Sequence, residues 1–365
     1  MRTYWPKLAL GAAALWSAAA LGAAQAGTMF LGGYPNHLMV IDEAKGSVTQ
    51  EIDLKTGLPT SMRLSDDGKL LYATTLTTSG IEVMDLATRK IINKLSLNTP
   101  TTTYRFSGGV PDRSGRHFYI LGTKIEKGVD SYRISKQQFM VVDLQEKKVV
   151  RSAELDADDQ KFTYRGQLML SPDGKTLYAF RDKVIVVNTA DLKTVDHFDL
   201  SKPDFPGMQD VSLGGGVGRL QTPGQFVSLF ETQDPYIQNK VFGIARLDLD
   251  TRQFSFTPIG PSPKALAGLE VTPDGKSGYT VAVNGDLGNQ RCEFWRFDLE
   301  KNKALDKAEF ECRRRFYFGM SGNGERLYIY GAGFDVAVYD AKSLRPVADW
   351  QLTHDTTISG MVITP

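Results

Sequence analysis

Residues 171–180, Ser-Pro-Asp-Gly-Lys-Thr-Leu-Tyr-Ala-Phe, run from a polar turn straight into a short alternating strand. Pro172 and Asp173 suit the early positions of a turn, Gly174 supplies a positive φ, and the alternation that follows has the period of a sheet. The same pattern recurs as SDDGKLLYAT around Gly68, PDRSGRHFYIL around Gly115, TPDGKSGYTV around Gly275 and SGNGERLYIY around Gly324. A degenerate copy, QTPGQFVSLF, surrounds Gly224. Between these lies a second recurring element, an apolar run ending in Asp or Asn and entering a charged turn. It occurs seven times, ending at Asp42, Asp85, Asp143, Asn188, Asp248, Asp298 and Asp340, at spacings of 42 to 60 residues.

Each unit reads as four short strands: one into the Asp/Gly turn, one out of it, one ending at the Asp, and one after the charged turn, such as IINKLSL or PVADWQL. Four-stranded units at this period specify propeller blades. The chain therefore reads as all-β, a seven-bladed β-propeller of antiparallel blades. Its first unit starts on a second strand, Thr28–Leu31, and the missing inner strand reappears as Thr357–Ile363. Pairing the two ends in one blade closes the ring and removes the exposed edges of an open array.

Upstream of the repeats, Arg2 and Lys7 precede an apolar run, Leu8–Leu21, and an Ala24-Gln25-Ala26 end. This is the layout of a secretory signal peptide over 1–26, with an uncleaved anchor as the alternative reading. Residues 27–365 then form the propeller, and a periplasmic or secreted protein with no membrane span after cleavage is expected. The balance of 43 Lys and Arg against 42 Asp and Glu, with no basic block, argues against nucleic acid as a partner.

The SPDGKTLYAF and VVDLQEKKVV units are similar to YVTN-type seven-bladed propellers of exported bacterial proteins. Long insertions in the third and fifth units, with FGIARLDLDT after the latter, resemble the β subunit of the quinohaemoprotein amine dehydrogenases. More distantly the chain resembles the heavy chain of methylamine dehydrogenase. This resemblance implies an exported propeller with no redox centre and no bound cofactor of its own. It would dock protein subunits of a periplasmic complex, with quinone and haem carried on those partners. The resemblance carries no catalytic residue over to this chain.

Strand alternation places the Asp/Gly turns and the charged turns on one face. The second-to-third strand connections and the blade entries lie on the other. That second face carries the long connections 122–137, 231–236 and 284–290, and loops lengthened on a rigid scaffold suit recognition. Tyr104-Arg105, Tyr164-Arg165 and Arg313-Arg314-Arg315 with Tyr317 stand at similar offsets before their repeat turns, at the entries to innermost strands. Guanidinium forks there can clamp a small anionic ligand or an acidic partner surface, or simply brace neighbouring blades. His354, just before the closing strand, is placed to reach the same funnel.

Cys292 and Cys312 are equidistant from residue 302, the centre of the sixth unit's charged turn, and are expected to face each other as a cross-strand disulfide. His37, His117, His197 and His354 lie in different repeats with no H-x-x-H spacing, so no metal site is expected. Haem-attachment, P-loop and hydrolase-elbow motifs are absent. The Gly214–Gly218 run lies in a β context with no following helix, which favours a blade-entry loop over a phosphate cradle. The leading expectation is a non-catalytic binding scaffold or complex subunit. The rival is a self-standing propeller enzyme, lactonase-like or a metal-dependent hydrolase, using acidic groups around the funnel.

Overall fold

Seven antiparallel sheets stand around a central axis in the computed structural model of the chain, each with four strand positions; blade 3 carries an added fifth strand and the inner strand of blade 6 is split in two. The structure describes residues 27–364 except 161–166, 181–182, 199–207, 209–211, 214–224, 249–250, 252 and 287. Blade 1 is built from both ends of the chain: Met361–Thr364 is its inner strand, followed outward by Thr28–Gly33, His37–Asp42 and Ser47–Asp53. Thr28 pairs with Thr364 and Leu31 with Met361, so the ring closes as the repeat count requires. Residues 357–360 form the approach to the closing strand rather than part of it.

The Asp/Gly motif owes its recurrence to local chemistry. In four copies the first residue's carbonyl accepts the glycine N–H and its hydroxyl donates to the Asp or Asn two residues on. Gly174 N–H reaches the Ser171 carbonyl at 2.9 Å, and Ser171 Oγ reaches Asp173 at 2.6 Å. The Gly68, Gly275 and Gly324 turns repeat both bonds, and Gly115 closes on the Asp112 carbonyl. All five glycines have φ between 67 and 75°, a region that penalises any Cβ. The charged turns are Asx turns: carboxylates such as Asp85, Asp143, Asp298 and Asp340 accept backbone N–H groups two or three residues on.

The core is a set of apolar wedges between neighbouring sheets. Alternation within one strand divides its side chains between two wedges: Leu177 and Ala179 pack toward blade 3, Tyr178 and Phe180 toward blade 5. The repeat tyrosine of three copies, Tyr72, Tyr178 and Tyr328, is fully buried. The wedge that closes the ring joins Met29, Leu31, Met39 and Ile41 of blade 1 to Tyr328, Tyr330, Val336 and Trp350 of blade 7.

Cys292 and Cys312 are disulfide-bonded, with 5.1 Å between Cα atoms. The two cysteines are not directly opposed across the ladder, as symmetry about residue 302 would place them. A bulge between Arg296 and Phe297 slips the ladder, so Cys292 stands opposite Phe310 and Cys312 lies two residues beyond, past the strand end.

Candidate functional site

The two faces of the ring differ in what they expose. Among the described residues, fourteen large apolar side chains are exposed, and ten of them lie at the face carrying second-to-third strand connections and blade entries. They are Tyr34 and Leu76 on blades 1 and 2, then Val129, Tyr132 and Ile134 on blade 3. Tyr236 and Ile237 belong to blade 5, Tyr317 and Phe334 to blade 7, and Ile358 to the closing connection. The other four, Ile92, Val195, Leu305 and Val347, sit on outermost strands, and none belongs to the opposite, turn-bearing face.

The long connections of blades 3 and 5 are extended sheet rather than irregular loops. In blade 3 the inner strand Thr102–Pro111 and its neighbour His117–Lys127 continue past the blade, and Tyr132–Ile134 joins them, pairing Ile134 with Ile125. Lys124 and Glu126 form an ion pair on this extension at 2.6 Å. In blade 5, Gln225–Gln233 and Lys240–Asp248 pair through to Gln233 and Lys240, leaving Tyr236 and Ile237 at the hairpin tip. Ladder hydrogen bonds hold these projections, so their apolar tips are presented on stiff supports.

The residues singled out from sequence separate into several settings. Tyr104 packs into the wedge between blades 2 and 3, and its carbonyl accepts a hydrogen bond from the Ser79 hydroxyl. Arg105, opposite Thr123 at the base of the blade 3 extension, is exposed. Tyr164 and Arg165 lie outside the described residues, as does Gly214–Gly218. Arg313 is a brace, forked onto both oxygens of Asp335, whereas Arg314 and Arg315 beside it are exposed. Tyr317 is exposed and stacks on Tyr330, with ring centroids 5.5 Å apart. Arg105 and the Arg314–Arg315 pair thus stand on one face but on blades 3 and 7.

His354 is placed away from the funnel. It lies between the outermost strand of blade 7 and the closing strand, and its ring stacks on His37 at 3.7 Å between centroids and 16° between planes. Its Nε2 is 3.1 Å from Glu51 on the outermost strand of blade 1. Nδ1 of His37 is 3.0 Å from Asp53, its direct cross-strand neighbour. Spacing in the sequence could not reveal this group, because closure of the ring brings its members together.

A second group on the same face surrounds Asp159, which has no exposed surface. His197 Nε2 contacts one carboxylate oxygen at 2.7 Å and Lys183 the other. Burial pushes the Asp159 carboxyl up, but the hydrogen bonds from His197 and Lys183 outweigh it and hold the group below its usual range. It ties the third blade's exit to the fourth blade through a fully buried carboxylate.

The axis carries a cavity of about 850 Å³, lined by inner-strand residues such as Met62, Met169, Met320 and Met361 and reaching the Asp66, Asp112 and Asp173 turns. Arg63, which sequence reasoning passed over, points into it from blade 2 and donates to the Leu168 carbonyl of blade 4 at 2.9 Å. Its desolvation lowers the guanidinium pKa, opposed by Asp66. This side chain cross-braces the channel.

A ring of seven four-stranded blades, closed by its two chain ends, defines the protein as a seven-bladed β-propeller. The solved structures of similar shape share that fold at low identity. Apo AztD from Citrobacter koseri is 14% identical with a TM-score of 0.53, over 93% of this chain and 98% of that one. A functionally unknown protein from Desulfotomaculum acetoxidans is 10% identical with a TM-score of 0.56, over the same shares. A putative 6-phosphogluconolactonase from Bacteroides fragilis is 12% identical with a TM-score of 0.53, over 94% of this chain and 99% of that one. No family model and no curated protein matches the chain.

Proposed function

We propose that the protein is a non-catalytic binding scaffold, exported by its 1–26 segment, that docks a protein partner on the loop-bearing face. One observation carries this reading: among the described residues, ten exposed large apolar side chains are concentrated on that face against none on the turn face. Solvated surfaces carry such side chains singly, and clusters rimmed by polar groups mark interaction sites. The exposed guanidiniums of Arg105, Arg314 and Arg315 on the same face favour a partner surface, or a small anionic ligand, that carries carboxylates.

The resemblance of the long third- and fifth-unit insertions, with FGIARLDLDT after the latter, to the β subunit of quinohaemoprotein amine dehydrogenases favours a narrower version. In it the partners are subunits of a periplasmic amine-oxidising complex and hold the quinone and haem. Co-purification from the native host tests both versions. The expected result is a complex that dissociates when Tyr132 and Tyr236 are replaced by Ser. An unaccompanied monomer in gently lysed cells sinks the scaffold reading. A partner free of quinone and haem removes only the narrower one.

A further inference from the structure

We propose that His37, Glu51 and His354 form a binding site for one borderline-soft divalent transition-metal ion, of the Zn²⁺ class, across the seam where the propeller ring closes. Their ligand atoms all lie within 4.8 Å of one another. Two imidazoles and a carboxylate are a donor set that such ions favour over Ca²⁺ or Mg²⁺, whose ligands are oxygens. Three protein ligands leave further coordination positions open to water or another ligand.

The carriers of these side chains are pinned. His37 opens the third strand of blade 1, directly opposite Asp53, and Glu51 pairs with Met39 two residues further along the same ladder. Residues 37, 39, 51 and 53 therefore share the sheet side that packs on blade 7, where Met39 joins the closing wedge. His354 arrives over Gly33. A Cβ at that position would stand 2.7 Å from the Cβ of His354, so glycine is what admits the ring. Next to it, the Asp355 carbonyl accepts the Tyr34 N–H at 2.8 Å, and the Thr356 N–H donates to the Gly333 carbonyl at 3.1 Å. Thr356 is fully buried.

The two histidines and Glu51 are partly screened, with side chains 20%, 21% and 39% exposed, which leaves an ion an entry path. Asp53, at 3.0 Å from His37 Nδ1, stands where a carboxylate orients a ligating imidazole. An ion would draw the two rings out of their stack until their nitrogen lone pairs converge.

The consequence is mechanical as well as chemical. Glu51 and His354 are 303 residues apart, one on the N-terminal part of blade 1 and the other on the segment leading to its C-terminal strand. A bound ion adds a tie between these two parts of the chain beside the ladder of Thr28–Leu31 with Met361–Thr364, the Tyr34–Asp355 hydrogen bond and the wedge between blades 1 and 7.

The test is titration of the untagged protein with Zn²⁺ by calorimetry and with Co²⁺ by visible absorption. One equivalent is expected to bind, with ligand-field bands of a low-coordinate Co²⁺. At a hundredfold excess over Kd, Zn²⁺ is expected to raise Tm by about 4 °C. His37→Ala and His354→Ala are each expected to abolish stoichiometric binding and the Tm shift. Glu51→Gln, on the exposed outer strand, keeps the shape of the site and is expected to weaken binding without loss of fold. Asp53→Asn is expected to weaken it by about tenfold to a hundredfold. Absence of Zn²⁺ and Co²⁺ binding, or binding that survives Glu51→Gln and His354→Ala unchanged, overturns the proposal. Neither outcome bears on partner docking.

Discussion

The turn face repeats one solution, whereas the loop face repeats none. On the turn face each described Asp/Gly copy closes on itself within five residues, and the charged turns cap their own backbone with an Asp carboxylate or Asn amide oxygen. On the loop face the connections range from the tight Tyr34–Asn36 turn to the three-stranded projection of blade 3, and the projections of blades 3 and 5 carry apolar tips. A face made of self-satisfied turns needs nothing else to be stable. A face that holds Tyr132, Tyr236 and Phe334 in water carries a solvation cost that a partner would relieve. Regularity maintains the ring, and departure from it marks where the protein meets other molecules.

Substitutions that attack the regular framework test one side of this contrast through stability. The largest effect is expected from Trp350→Ala, which empties the wedge closing blade 7 onto blade 1 and removes the contact with Tyr328, whose ring centroid is 5.2 Å away. A loss of about 3–5 kcal/mol is expected in chemical denaturation. Cys292→Ala with Cys312→Ala removes a link across 20 residues of chain that braces blade 6 at the loop face, with an expected loss of about 3 kcal/mol. A negligible change in denaturation midpoint for that double variant would show that the loop face needs no brace. Gly174→Ala is milder. Nothing lies within 4 Å of the added Cβ, so the cost is that of φ near +71° alone, about 1–2 kcal/mol.

Acid is expected to weaken the same framework. Hydrogen bonds from Thr88 hold Asp85 below the usual carboxylate range, Ser343 does so for Asp340, and Ser65, Ser171 and Thr272 do so for Asp67, Asp173 and Asp274. A carboxyl whose folded pKa is depressed contributes stability above its unfolded value, near 3.8, and loses that contribution as pH falls below it. Tm should therefore be level near neutrality and decline below about pH 4. A decline that begins near pH 6 would implicate histidines instead and contradict this assignment.

The turns were legible because their chemistry is local: Ser171, Asp173 and Gly174 contain every donor and acceptor the turn requires. Closure was legible too, since a unit missing its first strand matched a strand left over at the other end. What could not be read depends on register or on the ring itself. The cysteine pairing followed from symmetry about residue 302, but the bulge at Arg296 changed which residue faces Cys292. Arg313 shared a motif with Arg314 and Arg315, yet only the structure shows Asp335 occupying it. His37 and His354 looked isolated because their proximity exists only once blade 1 is assembled from both chain ends.

The contrast between faces meets its most direct test in site-specific photo-crosslinking in the native host. A crosslinker is placed at Tyr132 or Tyr236 on the loop face, and at Lys69 or Lys175 in the opposite turns. All four sites are exposed, so each variant is expected to remain within about 0.5 kcal/mol of the parent. The account predicts a discrete adduct of one partner protein from the loop-face positions and none from the turns. Adducts from Lys69 or Lys175, with none from Tyr132 or Tyr236, would contradict it.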